Sequence, residues 1–360
     1  MHLWQGLPNP DDGSVEPTTI RLPSHCLLPY GDGVFTQPSD LPDSRVSEVL
    51  RSAWSLAVDS IEYAPVGFGS HHWLVSVAGR RWFVTVDSIA TGCEDGSGEL
   101  GISRRLSAAL STARLLRDLG LAFVVAPMAT TDGDLLAPVD DRYVAAVYPY
   151  VDGQAYGWGP FADRASRGAV LERLVTLHTV STQARHHALV DGLEIRCRHR
   201  LEAALAATSQ QWHGGPFAER TRRLLARHEE SIAERLARYD LLVDGVADRS
   251  ERFVVTHGEP HRGNTITTAD GVMLVDWDTA LLAAPERDLW WLARDDVTIV
   301  DDYEHRTGTA VDTGALKLYR LRWDLTDLAL FIAQLHDPHE DNHDTRIAWD
   351  SVANYLDRPV

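Results

Sequence analysis

One segment limits the fold of this chain more than any other: FVVTHGEPHRGNTITTADGVMLVDWD, from Phe253 to Asp278. An apolar strand runs into a loop dense in polar groups, and a hairpin turned at ADG carries the chain on to Asp276. The pattern suits phosphoryl transfer. That chemistry needs a carboxylate to orient or deprotonate an attacking hydroxyl, and oxygen ligands to hold Mg²⁺ against phosphates. Glu259, Asn264 and Asp276 are the candidates. His257, Glu259 and His261, alternating along the loop, also read as a transition-metal cluster. Such a cluster leaves Asn264 and the DWD segment unexplained, and the zinc-deaminase motif that HxE opens needs a downstream PCxxC, which is absent.

The periodicity around this segment changes once. Residues 1–45 are rich in Pro, Gly, Ser and Asp and read as an irregular extension. A short helix is expected over 44–57, then strands over 61–66, 72–77 and 82–89, joined by VGFGSH and AGRR. A helix over 101–119 ends at Gly120, and strands follow at 123–128 and 142–147. After Tyr148-Pro149-Tyr150-Val151-Asp152-Gly153, long helical stripes take over at 164–180, 217–239, 316–335 and 345–356. Short strands at 252–256, 265–268 and 272–275 surround the motif. The chain thus divides into the extension 1–45, a small β-rich lobe 46–150 and a larger helical lobe 151–360, an α+β arrangement.

In this order of elements, and in HGEPHRGN followed by DWD, the chain resembles the aminoglycoside phosphotransferase family, whose catalytic segment reads roughly HGDxxxxN and then DW(D/E). The resemblance implies a two-lobed protein-kinase-like fold. It implies Mg²⁺-dependent transfer of the γ-phosphoryl group of ATP or GTP to a hydroxyl of an antibiotic, aminoglycoside-like or related small molecule, as in resistance or self-resistance. A metabolic small-molecule kinase shares the same core, and a catalytically degenerate binding protein of this fold is a further reading.

Carried over by the resemblance, Glu259 is the catalytic carboxylate and His261 approaches the γ-phosphate. Asn264 and Asp276 become metal ligands, while His257, Asp278 and Asp288 support the loop, Asp288 from the helix in APERDLWWL. Gly67, Gly69 and Ser70 fall in the phosphate-covering turn, nucleotide-binding together with Tyr148 and Tyr150 at the hinge. Two glycines serve an ordinary hairpin turn equally well. Asp295 and Asp296, with Asp301, Asp302 and Glu304, fall where this family places acceptor-binding acids; a solvated loop accounts for them equally.

Two departures stand out. The carboxylate is Glu rather than Asp, and Thr85 stands where a phosphate-binding lysine is expected. Lys317 is the only lysine in the chain, and the helix over 101–119 holds no Glu to pair with one. Arg104, Arg105, His71 and His72 are the candidate replacements.

A formal net charge of −18 argues against a duplex nucleic-acid partner and would draw in a cationic acceptor. No apolar stretch is long enough to span a bilayer. The start, MHLWQGLPNPDDG, lacks the regions of a cleaved signal, so a cytoplasmic location is expected. Cys26, Cys93 and Cys197 are odd in number and far apart, which suits free thiols. His178 reads as a packed core residue, and Trp290 and Trp291 as core or as one wall of an acceptor pocket.

Overall fold

The structure, a computed structural model, describes residues 35–67, 69–89, 98–180, 182–294 and 296–357. Most of the expected extension, Phe68 in the glycine turn, and Asp295 lie outside the described residues.

Helix α1 (Asp43–Trp54) buries Val46, Val49, Leu50 and Trp54 against the small-lobe sheet. The sheet begins with β1 (Ser60–Tyr63), β2 (Ser70–Val77) and β3 (Arg80–Ser88). Strands β2 and β3 are joined by Ala78 and Gly79, both at positive φ (49° and 74°), which matches the twist of a two-residue hairpin. Trp82, Val84 and Val86 on β3 face α1, so period-two alternation turns Phe83, Thr85 and Asp87 to the opposite face. Helix α2 (Gly98–Asp118) follows, then β4 (Ala137–Pro138) and β5 (Tyr143–Pro149), giving an antiparallel sheet in the order β1-β2-β3-β5-β4. Leu106 and Leu110 of α2 pack on Val144 and Ala146 of β5.

The strand expected over 123–128 does not form. This stretch makes a single bridge, Val124 to Leu274, because its hydrogen bonds are divided between two partners. Val125 N–H donates to Leu274 C=O at 3.1 Å, whereas Met128 N–H donates to Val147 C=O at 2.7 Å. The segment therefore ties the sheet to the motif region without joining either side for long.

The large lobe opens with β6 (Gln154–Ala155), α3 (Arg164–His178), α4 (Thr182–His187) and α5 (Arg198–Ala206). Asp163 caps α3 by accepting the Ser166 N–H at 2.7 Å. Helix α6 (Ala218–Ala247) runs eight residues beyond the expected end at Tyr239. Then come β7 (Val254–Thr256), β8 (Thr265–Thr268), β9 (Gly271–Leu274) and β10 (Leu281–Ala283). Strands β6, β8 and β9 form one small sheet, and β10 pairs with β7 in another.

Helix α7 (Glu286–Ala293) is buried over nearly its whole length. Residues 298–307, expected as an acidic loop, form α8 (Thr298–Thr307). Helix α9 (Thr313–His336) is the central post, touching α5, α6, α7 and the last helix, α10 (His343–Leu356). The stretch from Leu325 to Leu335, buried on nearly every side, accounts for this position. Helices α4 and α5 and strand β10 escaped the sequence reading because each is too short to show a period. The free-thiol expectation is also corrected: Cys197, fully buried, is disulfide-bonded. The other two cysteines, Cys26 and Cys93, lie outside the described residues.

Candidate active site

The loop between β7 and β8 is held in shape from behind. Asp288, fully buried on α7, accepts the backbone N–H groups of His257 (2.9 Å) and Gly258 (2.6 Å). Its Oδ2 also meets His178 Nε2 at 3.1 Å, and His178 Nδ1 meets the Tyr303 hydroxyl at 2.9 Å. His178, read from sequence as a packed core residue, is buried in that way and also braces Asp288. Burial alone would raise the Asp288 carboxyl, but the bond to His178 and the Arg287 charge outweigh it and hold it below the ordinary carboxylate range.

Two further α7 side chains reach the same loop. Trp291 Nε1–H donates to Gly258 C=O at 2.9 Å. Arg287 bonds Thr256 Oγ1 and Thr279 C=O, each at 2.8 Å, and crosses the space beside Gly258. A Cβ at Gly258 would lie 2.6 Å from the Arg287 guanidinium carbon, and φ there is +101°. Only glycine satisfies both conditions.

His257 braces the loop from inside. Burial lowers its pKa to about 4, so the ring is neutral at pH 7. Its partners fix the tautomer: Nε2–H donates to Val275 C=O at 2.9 Å, and Nδ1 accepts the Glu259 N–H at 3.2 Å. Asn264 Nδ2 donates to Glu259 C=O at 3.1 Å, while Asn264 C=O accepts the Val275 N–H at 3.1 Å. Glu259, Asn264 and the residue before Asp276 are thus joined in one short chain of hydrogen bonds. Asn264 Oδ1 is buried without a hydrogen-bond partner.

Asp276 adopts φ +67°, a conformation that L-residues rarely take and that here follows β9 into DWD. Trp277 is fully buried, its Nε1–H on Leu274 C=O and its ring against His257. Asp276 and Asp278 therefore point away from the core, close enough for each carboxyl to feel the other. Enclosure by surrounding protein raises the pKa of both, with mutual repulsion adding for Asp276. Solvent still reaches Asp278, which is exposed.

The small lobe meets this centre with β3 and β5. Thr85 is hydrogen-bonded to Tyr148, and Tyr148 lies close enough to Asp87, Asp276 and Asp278 to feel their charge. Asp87, which the sequence reading passed over, accepts a hydrogen bond from Ser70 Oγ. Burial pushes its carboxyl up to about 7, with Asp278 adding and the Ser70 bond opposing. The available signal was its i+2 position from Thr85, which puts both on one strand face.

Other expected residues are engaged elsewhere. Gly67 and Gly69 have positive φ (77° and 83°), which suits either a tight turn or close approach to phosphate. Tyr150 is covered by Arg81, whose guanidinium sits 3.9 Å from the ring centroid. Arg105 pairs with Glu194 at 3.1 Å, and Arg104 is exposed. His71 contacts the Tyr63 hydroxyl and His72 the Val66 carbonyl, and burial lowers both pKa values, to about 4 and about 3. Neither is a cation at pH 7.

His261 Nε2 lies 3.8 Å from Glu259 Oε2, and its ring meets Trp158 and Trp291 edge-on at 4.3 and 5.0 Å. Burial lowers its pKa well below the ordinary histidine value. Asp296 bonds Arg167 at 3.1 Å and caps Thr298.

Comparisons with known proteins agree with this architecture. Protein StrN of Streptomyces griseus is 27% identical over 253 residues, covering 68% of this chain and 75% of that protein. The crystal structure of spectinomycin phosphotransferase APH(9)-Ia with ADP and spectinomycin superposes with a TM-score of 0.67 at 14% identity, over 88% of this chain and 94% of that one. Choline kinase LicA from Streptococcus pneumoniae gives 0.51 at 16% identity, over 87% and 98%. Those two structures share the two-lobed kinase-like fold with this chain. The profile of the Phosphotransferase enzyme family (APH) matches residues 60–331, through both lobes and the whole candidate site. The chain belongs to that phosphotransferase family and is a small-molecule kinase.

Proposed function

We propose that the protein transfers the γ-phosphoryl group of a magnesium nucleotide, ATP or GTP, to a hydroxyl of an antibiotic, aminoglycoside-like or related small molecule. The observation that carries this reading is the hydrogen-bonded run from Glu259 through Asn264 to Val275. It sets a carboxylate, an unpartnered amide oxygen and the Asp276 carboxylate side by side. Spectinomycin phosphotransferase lends support to the acceptor class only through likeness of fold.

The donors fit a hard divalent cation. Asn264 Oδ1 and Asp276 offer oxygen, and burial leaves Oδ1 with nothing else to bind. Mg²⁺ takes one or two carboxylates and completes its shell with water and phosphate. When bound, the ion neutralises the phosphate oxygens and draws charge from the transferring group.

Glu259 accepts the hydrogen bond of the acceptor hydroxyl and holds that oxygen in line with the γ-phosphorus. The new O–P bond forms as the bond to the bridging β–γ oxygen breaks. The hydroxyl proton passes to Glu259, and nucleoside diphosphate departs. His257, Asp288 and Arg287 keep Glu259 in place, so most of the rate advantage comes from positioning. Gly67, Gly69 and Ser70 cover the phosphates, with Ser70 tied to Asp87, and Tyr148 lies nearest the nucleotide from the hinge.

The test is transfer of label from γ-labelled ATP and GTP to a hydroxylated acceptor panel with and without Mg²⁺. Label transfer that survives Asp276→Ala would sink the reading. A second reading, a nucleotide or ligand binder without turnover, is favoured by Thr85 standing where a cation is expected, with a carboxylate, Asp87, on the same face of the strand. Calorimetric nucleotide binding with no transfer across the panel would select it.

A further inference from the structure

The inference concerns which acceptors can reach Glu259, and it rests on the reading that Glu259 receives a hydroxyl. The acid-rich segment after α7 was expected to meet cationic amino groups. Three of its carboxylates, Asp296, Asp302 and Glu304, already have partners within the chain. Asp296 pairs with Arg167, and both side chains are largely buried, at 19% and 9% exposure. The same carboxylate accepts the Thr298 N–H and hydroxyl. Asp302 pairs with Arg164 at 3.2 Å, and Glu304 accepts the Val311 N–H at 2.7 Å. Exposed Arg294, at the end of α7, is near enough to His261 to add to burial in keeping that ring uncharged. Arginines therefore offset acids on this side, despite the net charge of the whole chain.

Beside the candidate base the surface is aromatic instead. His261, 3.8 Å from Glu259, sits against Trp158 and Trp291. Trp158 lies nearly parallel to Trp323, at 15° and 6.1 Å between centroids. The three tryptophans come from separate elements: Trp158 from the segment between β6 and α3, Trp291 from α7, and Trp323 from α9. Trp158 and Trp291 are buried, while Trp323 is partly exposed, so the aromatic layer runs from the catalytic loop out to solvent.

We infer that the acceptor is a hydroxylated ring of low positive charge, which lays its C–H face on the Trp158–Trp323 layer as it presents a hydroxyl to Glu259. Aromatic faces bind such C–H surfaces by area and dispersion and require no countercharge. A polycation would have to displace Arg164 and Arg167 from their carboxylates before gaining any pair of its own.

Binding without turnover tests this separately from the phosphotransfer reading. The protein with saturating ADP and Mg²⁺ is titrated calorimetrically with neutral ring acceptors, myo-inositol and methyl and phenyl glucosides, and with kanamycin as the polycation. At least one neutral probe is expected to bind about tenfold more tightly than kanamycin, and to quench tryptophan fluorescence. Trp323→Leu should weaken that probe about tenfold and Trp323→Phe should restore it, with ADP affinity and thermal midpoint unchanged. Tighter binding of kanamycin, its weakening by Asp296→Asn, or indifference of every probe to Trp323→Leu would each overturn the inference. Binding as expected with no label transfer would overturn the kinase reading and leave the aromatic subsite standing.

Discussion

Replacing Asp288 tests whether the candidate loop is held by one carboxylate. Its two oxygens accept three hydrogen bonds, from the His257 and Gly258 N–H groups and from His178, all in a fully buried setting. In Asp288→Ala, two buried N–H groups and one imidazole lose their partner. At roughly 1–3 kcal/mol for each orphaned group, the loss is about 3–9 kcal/mol. That rivals the whole stability of a typical domain, about 5–15 kcal/mol, so little folded Ala variant is expected.

Asp288→Asn is the informative variant. Its carbonyl can serve one backbone N–H, but its NH₂ must then face the other, donor against donor. One orphan gives a loss of about 1–3 kcal/mol, read as a lower urea midpoint at unchanged slope. Because Glu259 hangs from the displaced turn, kcat should fall about 100-fold while the nucleotide KM stays within about threefold. An Asn variant with the parent's urea midpoint and kcat would refute the argument.

Four further outcomes follow from the site. Asp276→Asn should abolish Mg²⁺-dependent nucleotide binding in calorimetry and lower transfer by at least about 100-fold. Glu259→Gln should lose about as much rate with both KM values preserved, and Glu259→Asp should retain a measurable fraction, because the loop must move by only about a bond length. Gly258→Ala forces a strained φ and displaces Arg287, so the urea midpoint should fall by the equivalent of about 1–3 kcal/mol. Asp87 has a folded pKa of about 7, above the value near 3.9 expected in the unfolded chain. Its contribution to stability is therefore complete below pH ~4 and is lost as pH rises through about 7. The metal-free Asp87→Asn protein should accordingly be more stable than the parent at pH 8, the gap closing towards pH 5 in thermal melts.

The site was legible where its chemistry lies close in sequence. Glu259, Asn264 and Asp276 fall on a strand, loop and hairpin whose pattern restricts how they can meet, and their convergence follows from backbone bonds such as Val275 N–H to Asn264 C=O. The partners of the acidic run were not legible, for the opposite reason. Whether Asp296 is free depends on Arg167, 129 residues away, and no local pattern reports such a partner. Asp87 was lost in a run that reads simply as the end of a strand; its meaning appears only when the lobes face each other. The stretch 123–128 has the apolar content of a strand, but content does not supply a neighbour to pair with.

Helix α7 has just eight residues, yet Arg287, Asp288 and Trp291 from it all grip the catalytic turn. The turn and this helix must therefore shift as a single rigid piece. A change on α7 that widened acceptor choice would also drag the carboxylate off line, coupling selectivity to rate. Trp158 shares that constraint through its ring contacts with His261 and Trp291, whereas Trp323, on α9, meets α7 through the rings of Trp290 and Trp291. Diversification of acceptor preference has its freer route through Trp323, at the partly exposed end of the layer, while α7 remains under constraint from the chemistry itself.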